Sequence, residues 1–575
     1  MSNKRLAEIL EEIASMLDLE GENLFFEVRA YRKAAQTLET MQQEVEEIFK
    51  KEGEEGLRKL PGVGKTIASH IIEFVEKGKI KKYDELKKKY PIDFAALTKI
   101  QGMGARKAFK LYKALGVRNM DDLRKAIAKH RVRDIDGFGE KSEQDITKGI
   151  EFLEKSGGRQ LLGVALPVAE ALVKQLKASK TVENAVVAGS ARRMKETVGD
   201  LDILIVSEDP SKVEEAIAKM GEVDSIIAKG PTKISVVLKM GINCDFRIIE
   251  KDSFGAGLQY FTGSKDHGVQ VRQIAVRKGY SLNEYQLSDK NGKKIVSRTE
   301  EEIYGKLGLD YIVPEMREAR GEVDLAIHHK LPKLIAPTDM KGDLHTHTKF
   351  TDGINTIEEM AEKAASLGYE YIGLTDHSKS EYQTGGMDDK KFVNYFAQID
   401  KANDKLDGKI KVLKSGEVDI LKDGTLDLSS KTLDKMDYAL CSIHSSFNLP
   451  KEDQTKRVMR AFESGYVRIF GHPTARLINQ REPVQLDLDK VFESAKENNV
   501  VMEINSRPER LDLNDENIIR ARGYGLKFAI DTDAHQTAHM EMMRYGIGTA
   551  QRGWITKGDV INTLAIDKFL KFLNR

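Results

Sequence analysis

Two short patterns of acidic and imidazole side chains could bind divalent metal ions, and they lie far apart in the chain. The first is Asp200 and Asp202 in "VGDLDILIV", followed by a third aspartate, Asp245, in "NCDFRII". The second begins with His345 and His347 in "GDLHTHTKFTDG". Side chains two residues apart on a strand project from the same face, so each pair can bind one ion.

The three aspartates predict a site for hard cations. Carboxylates on adjacent strands repel one another unless cations neutralise them, and oxygen ligands favour Mg²⁺ or Mn²⁺. Two such ions can activate an attacking hydroxyl and stabilise the leaving oxygen of an in-line phosphoryl transfer. Gly189, Ser190 and Arg193 lie just upstream, where they could cradle a leaving pyrophosphate. An isolated Asp-x-Asp is often only a turn, so the interpretation depends on the whole group.

The histidine pattern continues through the last third of the chain. Metal-binding side chains recur where short apolar segments end; they are His345, His347, Asp352, His377, Glu417, His444, His472, Asp533 and His535. Any one histidine could be structural, but strand ends converge on one face of a β/α barrel. Nine ligands predict two or three ions, and mixed nitrogen and oxygen ligands admit Mn²⁺, Zn²⁺ or Fe²⁺. Such ions would activate water for attack on a phosphoester.

The spacing of apolar residues predicts different folds for the segments along the chain, including those that carry the two groups of candidate ligands. Residues 1–155 place apolar side chains three and four apart, as in helices. Between about 160 and 250, short β-branched segments alternate with helices, which predicts an α+β unit. The segment "HHKLPKLIAPTD", with two prolines, predicts a linker. Beyond it, short strands alternate with amphipathic helices, as in a parallel β/α barrel.

Three related phrases interrupt the amino-terminal helices: "LPGVGKTIASHI", "IQGMGARKAFKL" and "IDGFGEKSEQDI". A Gly-x-Gly turn allows close backbone approach and exposes the N–H groups of the next helix, which can bind phosphate without reading bases. Residues 51–150 also carry 24 Lys/Arg against 15 Asp/Glu. This excess suits a polyanionic partner, although a solvated lysine-rich surface would give the same count. The predicted DNA contacts are Gly62, Gly64, Lys65, Gly102, Gly104, Gly137 and Gly139.

Residues 1–317 resemble the family X DNA polymerases of the nucleotidyltransferase superfamily. The resemblance rests on the Gly-x-Gly phrases, which are similar to helix-hairpin-helix motifs, on "FEVRAYRKAA" and "YFTGS", and on the aspartate motif. It implies that Asp200 and Asp202 bind both metals, while Asp245 binds the catalytic one and helps ionise the primer 3′-hydroxyl. It also implies nucleotide contacts and one template contact, Arg272; the nucleotide contacts are Gly189, Ser190, Arg193, Gly199, Tyr260, Phe261 and Gly263.

The sequence departs from that family at two places. His70 occupies the position of the Schiff-base lysine found in members that remove a 5′-deoxyribose phosphate. Imidazole cannot form that imine, so we expect lyase activity by this route to be absent or weak. After "YFTGS" the chain continues "KDHG", unlike the vertebrate enzymes. Nucleotide contacts in that stretch are therefore not carried over.

The last part, from about residue 340, resembles the PHP (polymerase and histidinol phosphatase) phosphoesterases, whose nine-ligand pattern is complete here. The resemblance implies three ions. The first would take His345, His347, Glu417 and Asp533, and the second Glu417 and His444. Asp352, His377, His472 and His535 would be distributed over the remainder.

The predicted fold is therefore multidomain: helical helix-hairpin-helix domains, an α+β nucleotidyltransferase palm and a distorted TIM-like β/α barrel. The predicted boundaries are an N-terminal helical DNA-binding domain with the first hairpin motif at 1–87, a helical subdomain with the other two at 88–155, the palm at 156–255, a nucleotide- and template-contacting subdomain at 256–317, a linker at 318–338 and the PHP domain at 339–575.

These features predict a template-directed, gap-filling repair DNA polymerase coupled to a metal-dependent phosphoesterase that trims DNA as a 3′→5′ exonuclease. A 3′-phosphatase or abasic-site endonuclease activity could share that pocket. The expected substrates are gapped or primer-template DNA and deoxynucleoside triphosphates. One alternative is a template-independent nucleotidyltransferase fused to a small-molecule histidinol-phosphatase-like enzyme. Another is a binding scaffold without activity.

The composition indicates the cellular compartment of the protein. Only two cysteines occur in 575 residues, both in apolar contexts, so no disulfide framework is expected. No apolar run approaches the roughly 20 residues that span a membrane, and the first residues lack a signal-peptide core. We therefore expect a cytoplasmic monomer without a membrane partner.

Overall fold

The chain forms two compact units in this computed structural model. The structure describes residues 3–21, 24–41, 44–98, 100, 103–155 and 158–573. The first unit comprises residues 1–157 together with 479–482, and the second comprises residues 158–478 and 483–575. Cys244 and Cys441 are both buried and free, as predicted. Among the described helices, none is long and apolar enough to cross a membrane.

The first unit is helical, as its apolar spacing predicts. Its described helices are α1 (Asn3–Leu17), α2 (Phe25–Thr40), α3 (Val45–Arg58), α4 (Lys65–Lys77), α5 (Lys81–Lys89), α6 (Phe94–Leu97), α7 (Ala105–Leu115), α8 (Met120–Ala128) and α9 (Glu140–Lys155). Leu10, Ile71 and Leu111 are fully buried in one common core. Side chains cap two of the short helices, since Asp93 accepts from the Ala96 N–H and Asn119 from the Asp122 N–H.

A five-stranded mixed sheet opens the second unit. Its elements are β1 (Gln160–Leu161), α10 (Leu162–Ala178), β2 (Asn184–Val187), α11 (Gly189–Arg192), β3 (Thr197–Val198), β4 (Asp200–Val206), α12 (Pro210–Ala218), β5 (Val223–Lys229), β6 (Lys233–Leu238) and β7 (Asn243–Ile249). The sheet order is β2-β4-β7-β6-β5, and β1 pairs with β3 apart from it. Only β4 and β7 run parallel, which brings their amino-terminal ends side by side.

A mixed segment follows the sheet. It contains α13 (Phe254–Thr262), α14 (Lys265–Arg277), β8 (Ser281–Leu282), β9 (Leu287–Ser288), β10 (Lys294–Ile295), α15 (Glu300–Lys306) and α16 (Glu322–Ile327). Helix α16 falls inside the stretch 318–338 that the sequence assigned to a linker. Its Val323 and Ala326 are buried in the same core as Ile303, so this part of the stretch is packed structure.

The rest of the second unit alternates strands and helices. These are β11 (Gly342–Thr346), α17 (Ile357–Ser366), β12 (Tyr371–Leu374), α18 (Asp389–Leu406), β13 (Lys411–Lys414), β14 (Glu417–Asp419), α19 (Ser430–Leu433), β15 (Ala439–Ser442), α20 (Lys451–Glu463), β16 (Val467–Phe470), α21 (Leu488–Glu497), β17 (Val501–Asn505), α22 (Asp515–Gly523), β18 (Phe528–Asp531), α23 (Met543–Arg552) and α24 (Ile566–Leu573).

These eight strands form two parallel sheets, β11-β12-β13 and β14-β15-β16-β17-β18. Single parallel bridges join the two sheets near both edges, His377 to Glu417 and Thr346 to Ala534. Most strand residues are buried, as expected for parallel strands covered by helices. The carboxyl ends of these strands therefore lie close together, which is the arrangement that the ligand spacing requires.

Candidate active sites

The sheet of the second unit brings the three aspartates together. Asp200 and Asp202 begin β4, and Asp202 lies opposite Asp245 of the parallel strand β7. Asp245 accepts a hydrogen bond of 2.6 Å from the Ser235 hydroxyl and pairs with the Lys233 ammonium at 2.7 Å. Its orientation is thus set by the neighbouring strand β6. The arrangement offers several carboxylate oxygens at one sheet end.

Burial and neighbouring charges shift the pKa values of Asp202 and Asp245 in opposite directions. Burial, with the charges of Asp200 and Asp245, raises the pKa of Asp202 to about 6. Burial acts in the same sense on Asp245, but Lys233 and Ser235 outweigh it and lower the pKa of that carboxyl. A carboxylate that resists ionisation beside like charges is stabilised by a cation. The donor set, made only of carboxylates, fits Mg²⁺ or Mn²⁺.

The turn before β4 lies directly over these carboxylates. Gly189 has a positive φ of 64°, and a Cβ there would lie 2.6 Å from the Asp202 Oδ2 atom, so no side chain fits. Ser190 follows in the short helix α11, and Gly199 lies immediately before Asp200. Next to Gly199, the Arg159 guanidinium donates to the Thr197 carbonyl at 2.7 Å.

Arg193 connects this turn to the "YFTGS" segment. Its Nη1 donates to the Thr262 carbonyl at 2.6 Å and its Nε to the Glu318 carboxylate at 3.0 Å. A Cβ on Gly263 would lie 3.1 Å from the same guanidinium. The structure therefore brings Arg193 and the 262–263 backbone together, although they are 69 residues apart.

Two aromatic rings of "YFTGS" pack against cations. The rings of Tyr260 and Phe261 meet edge to face at 5.1 Å. The Arg272 guanidinium lies 5.7 Å from the Tyr260 ring, and that of Arg247, on β7, lies 4.8 Å from the Phe261 ring. Tyr260 is 40% exposed, so its ring is available to a ligand. Phe261 reaches the strand that carries Asp245.

His267, in the stretch that departs from the vertebrate pattern, is fully buried. Its ring bonds the Glu322 carboxylate and the Tyr304 hydroxyl, each at 2.7 Å. This histidine therefore ties α14 to α15 and α16, and its role is structural.

The Gly-x-Gly phrases take similar conformations where the structure describes them. Gly62 and Gly137 share a positive φ of 79°, and a Cβ on Gly62 would lie 2.7 Å from the Ala34 nitrogen. Gly64 and Gly104 precede the first residues of α4 and α7 in extended conformation, and Gly139 immediately precedes α9. Lys65 is the first residue of α4. Gly102 lies outside the described residues.

The second constellation also comes together. Four groups of mutually close ligand atoms involve all nine predicted side chains: His347 with Asp352, His377 and His535; His345 with Glu417 and His472; His345 with His347 and Asp533; and His377 with Glu417 and His444. His472 thus lies beside His345 and Glu417. Nothing in the sequence placed it with a particular ion.

Glu417 is the centre of this cluster. Its carboxylate lies 2.8 Å from His472 Nε2, 3.1 Å from His377 Nδ1 and 3.2 Å from His444 Nε2. The sequence pattern suggested that Glu417 ends a strand, but it is the first residue of β14, after the break that follows β13. Strand β14 is the edge strand of its sheet, and Glu417 forms the bridge to His377 of the other sheet, so its carboxylate reaches partners from both sheets.

Further side chains orient the imidazoles. The Glu503 carboxylate on β17 bonds His345 Nδ1 at 2.6 Å, and Asp419 bonds His444 Nδ1 at 3.0 Å. Each leaves the Nε2 atom of that ring toward Glu417. Such carboxylate partners fix the tautomer of a metal-binding histidine. Sequence reasoning missed both, although Glu503 is an acidic residue in the mostly apolar strand β17 and Asp419 lies two residues after the predicted ligand Glu417.

The histidines of the cluster differ in pKa and therefore in charge. Burial favours the neutral form of every imidazole, but Glu417 and Asp419 outweigh it and raise the pKa of His444 to about 10. Burial and the neighbouring His535 and His377 lower the pKa of His347 to about 3. The ring of His347 is therefore neutral, with a lone pair available to a metal.

The buried polar atoms test whether metal ions fit here. Within the part of the chain that the structure describes, both ring nitrogens of His347, Nε2 of His345 and Nδ1 of His377 are buried without a hydrogen-bond partner. Buried polar groups are normally satisfied, so each of these atoms indicates a missing ligand. Imidazole nitrogens beside shared carboxylates suit Mn²⁺, Zn²⁺ or Fe²⁺. The residues present therefore fit a multinuclear metal centre.

Arg510 is the other residue that sequence reasoning missed. Its side chain is 14% exposed, and its Nε pairs with the Asp533 carboxylate at 3.5 Å. The Nε and Nη1 atoms are buried and make no hydrogen bond in the described structure. Burial and this positive charge together lower the pKa of His472 to about 3. A buried guanidinium with unused donors beside a cluster of candidate metal ligands indicates an anion site. No sequence pattern distinguished this arginine from surface arginines.

Known families match most of the chain. Residues 1–80 match the helix-hairpin-helix domain family, and residues 94–151 match the SAM-like helix-hairpin-helix tandem family. Residues 257–318 match the DNA polymerase beta thumb family. The PHP domain family matches residues 343–507, which include seven of the nine ligands but not Asp533 and His535.

Relatives match either the whole chain or its last part. The DNA polymerase/3′-5′ exonuclease PolX of Bacillus subtilis (strain 168) is 36% identical over 578 residues, which covers 100% of both chains. A probable phosphatase of Thermoanaerobacter sp. (strain X514) is 30% identical over 232 residues, 38% of this chain and 89% of that protein. Another, from Caldanaerobacter subterraneus, is 31% identical over 204 residues, 34% of this chain and 75% of that protein.

The fold and the two sites define a polymerase joined to a phosphoesterase domain in one chain. With a full-length relative at 36% identity, the chain belongs to the family X DNA polymerases that carry a carboxy-terminal PHP domain. The resemblance found in the sequence is thus confirmed.

Proposed function

We propose that the protein is a template-directed DNA polymerase that fills gaps and also removes nucleotides from DNA 3′ ends. The observation that carries this proposal is the presence of two separate ligand clusters: Asp202 facing Asp245 in one, and nine side chains, Glu417 among them, in the other. The relative from B. subtilis, named as a polymerase and 3′-5′ exonuclease, supports the same pairing.

In the polymerase site, Asp200, Asp202 and Asp245 would hold Mg²⁺ or Mn²⁺. When bound, such ions neutralise developing charge and favour ionisation of the attacking 3′-hydroxyl. Lys233 and Ser235 hold Asp245 in one orientation. Arg193, Ser190, Gly189 and Gly199 would bind the triphosphate, because they surround the turn above these carboxylates. Tyr260, Phe261 and Gly263 would line the nucleotide, and Arg272 would contact the template.

In the nuclease site, the nine ligands would hold two or three ions. When bound, they supply a nucleophile at neutral pH and polarise the phosphoester. Glu503 and Asp419 hold His345 and His444 with Nε2 toward the centre. Arg510 would bind a nonbridging oxygen of the scissile phosphate with its unused donors. These residues therefore orient the substrate and the ligands.

Several finer assignments belong to the same proposal. The residue ranges predicted for the domains would divide the work: DNA binding at 1–155, nucleotidyl transfer at 156–317 and hydrolysis at 339–575. The two parallel sheets, bridged near both edges, would form one distorted β/α barrel. Gly62, Gly64, Lys65, Gly104, Gly137 and Gly139, with Gly102, would contact DNA phosphates. Repair of gaps would be the physiological use, because a nuclease that cleans a 3′ end prepares it for extension.

A labelled primer in a gapped duplex tests both activities. We expect the protein with Mg²⁺ or Mn²⁺ to add the nucleotide complementary to the template, and to shorten the primer when nucleotides are absent. Asp202→Asn should reduce addition by at least about 100-fold and leave shortening unchanged, while His347→Ala should do the reverse.

The outcome also separates the alternatives. Incorporation that ignores the template base would favour a template-independent transferase. Hydrolysis of a small phosphomonoester with intact DNA would favour a small-molecule phosphatase. Loss of both activities in either single variant would contradict two independent sites.

A further inference from the structure

A helix of the PHP part packs against the turn that carries Arg193. Helix α23 follows the last two metal-ligand candidates in sequence and ends at Arg552. A Cβ added to Gly548 of this helix would lie 2.6 Å from the Met194 side chain, so a glycine there allows close contact. The contact connects nucleotide-binding and nuclease parts within the same compact unit.

Arg552 makes the polar part of this contact. Its Nη1 donates to the Arg193 backbone carbonyl at 2.8 Å and to the Glu318 carboxylate at 2.9 Å, while its Nη2 donates to Asp515 at 2.6 Å. The side chain is 3% exposed. Three acceptors therefore hold one buried guanidinium, and one of them is the main chain of Arg193.

Glu318 is shared between two arginines. The same Oε1 atom accepts from Arg193 Nε at 3.0 Å and from Arg552 Nη1. Lys195 is farther away, at 3.9 Å from the other oxygen. Burial opposes ionisation, but Arg552 and Arg193 outweigh it and lower the pKa of Glu318, so this group is an anion.

The shared carboxylate competes with a nucleotide for Arg193. A triphosphate needs the positive charge of Arg193, and Glu318 already neutralises part of it. Because Arg552 contributes a second positive charge to the same oxygen, it weakens the hold of Glu318 on Arg193. Without Arg552, Arg193 would be the principal partner of a buried carboxylate and would bind phosphate less well.

We propose that Arg552 is a positioning residue for nucleotide binding. It fixes the backbone of Arg193 and limits the pairing of Glu318 with the Arg193 guanidinium. A side chain of the PHP part thereby sets the nucleotide affinity of the polymerase part. This inference rests on the proposed role of Arg193 as a triphosphate ligand.

Single-nucleotide addition on a gapped duplex tests the proposal with the full-length protein. Arg552→Gln should raise the KM for the nucleotide about 10-fold and change kcat by less than about 3-fold, since the carboxylates that would bind the catalytic metals are untouched. Removing the competing charge as well, in Arg552→Gln with Glu318→Gln, should return the KM to within about 3-fold of the original. Arg552→Lys keeps the positive charge but loses the several donors of the guanidinium. The KM of this variant should therefore lie between those of the original protein and of Arg552→Gln.

Arg544→Gln is the matched control. Arg544 also lies on α23 and pairs with Glu170, but both side chains are more than 40% exposed. The KM of the Arg544→Gln variant should therefore change less than 2-fold. Primer shortening in each variant reports whether the PHP part is folded. If Arg552→Gln gives no folded protein, the Lys variant replaces it, and an unchanged KM there would overturn the proposal.

Two results distinguish this inference from the proposed function. Arg193→Gln should raise the KM more than Arg552→Gln does. An unchanged KM in Arg193→Gln would remove Arg193 from the nucleotide site. A raised KM in Arg193→Gln with an unchanged KM in folded Arg552→Gln would instead overturn the positioning role alone. Failure of Glu318→Gln to relieve the Arg552→Gln defect would also overturn it.

Discussion

Glu417 shows how one residue organises the ligand cluster of the PHP part. Its two oxygens are each within 3.3 Å of an imidazole nitrogen, and His345, His377, His444 and His472 all approach it. Such a carboxylate can bridge two cations, whereas without them it depends on protonated histidines for its charge balance. The raised pKa of His377, about 9, reflects Asp352 and Glu417 outweighing burial. Metal binding would displace that proton.

Arg510 is a second single residue whose substitution should affect primer shortening. Because two of its buried donors make no hydrogen bond in the described structure, a phosphate oxygen is their natural acceptor, and Arg510→Gln should weaken primer shortening at least about 10-fold. Nucleotide addition should remain unchanged. Shortening rates measured over a range of DNA concentrations separate a KM effect from a kcat effect. Arg520→Gln, at an exposed arginine of α22, is the control, and an equal loss there would mean that general charge is responsible.

Residues at the two sites differ in how well sequence predicts them. The clustering of the candidate metal ligands is predictable because their spacing follows strands and strand ends, so the grouping of His345 and of Asp202 with their neighbours can be expected without a structure. Glu503 and Arg510 are not, because an acidic residue in a strand or an arginine in a loop has many possible environments. Their roles depend on which side chains the fold places beside them.

At the scale of elements, a buried ion cluster joins the five-stranded sheet of the second unit to the segment that follows it. Glu300, at the start of α15, accepts from Arg192 of α11 at 2.6 Å and from Arg317 at 2.5 Å. Burial opposes ionisation of Glu300, but Arg317 and Arg192 outweigh it and lower its pKa to about 2. Arg317 is fully buried, so loss of its partner would leave an uncompensated charge.

Glu300→Gln should therefore lower the free energy of unfolding by about 3 kcal/mol at pH 7. The folded pKa of Glu300 is depressed, so its contribution is complete above the ordinary value and is lost as pH falls toward about 2. The difference between the original protein and the variant should narrow by about 1 kcal/mol at pH 3.5. Urea unfolding at the two pH values measures it.

Glu301→Gln is the control for this experiment, because Glu301 is exposed on the same helix. We expect it to change the unfolding free energy by less than about 0.5 kcal/mol at either pH. A Glu300→Gln difference that stayed constant between pH 7 and pH 3.5 would show that Glu300 acts through packing rather than through its charge.

Element types followed from the sequence more readily than their packing. The helical spacing of residues 3–17 and the alternation of His345 and His347 both predict the elements observed. The stretch 318–338 did not, because α16 is only six residues long and its order depends on the buried His267–Glu322 pair. The contact of α23 with Arg193 likewise joins residues 359 apart. Local periodicity carries no information on such pairs.

The molecule as a whole combines a helical unit with a larger unit that contains both ligand clusters. The helical unit offers exposed helix starts, and among the described residues both ligand clusters lie outside it. Nonspecific phosphate contacts by the helical unit would hold DNA for either reaction. Affinity for DNA should then depend on charge in the first unit, whereas each reaction depends on its own cluster.

A substitution of Lys65 tests whether DNA affinity depends on charge in the first unit. Lys65 is the first residue of α4, where its charge and the free N–H groups of the helix start can meet one phosphate. Lys65→Gln should weaken binding to a gapped duplex and reduce the slope of log K against log salt by about 1. Lys77→Gln, at the other end of the same helix, should leave the slope unchanged. Fluorescence anisotropy at several salt concentrations measures both, and equal slopes in the two variants would show that phosphate is not bound at this helix start.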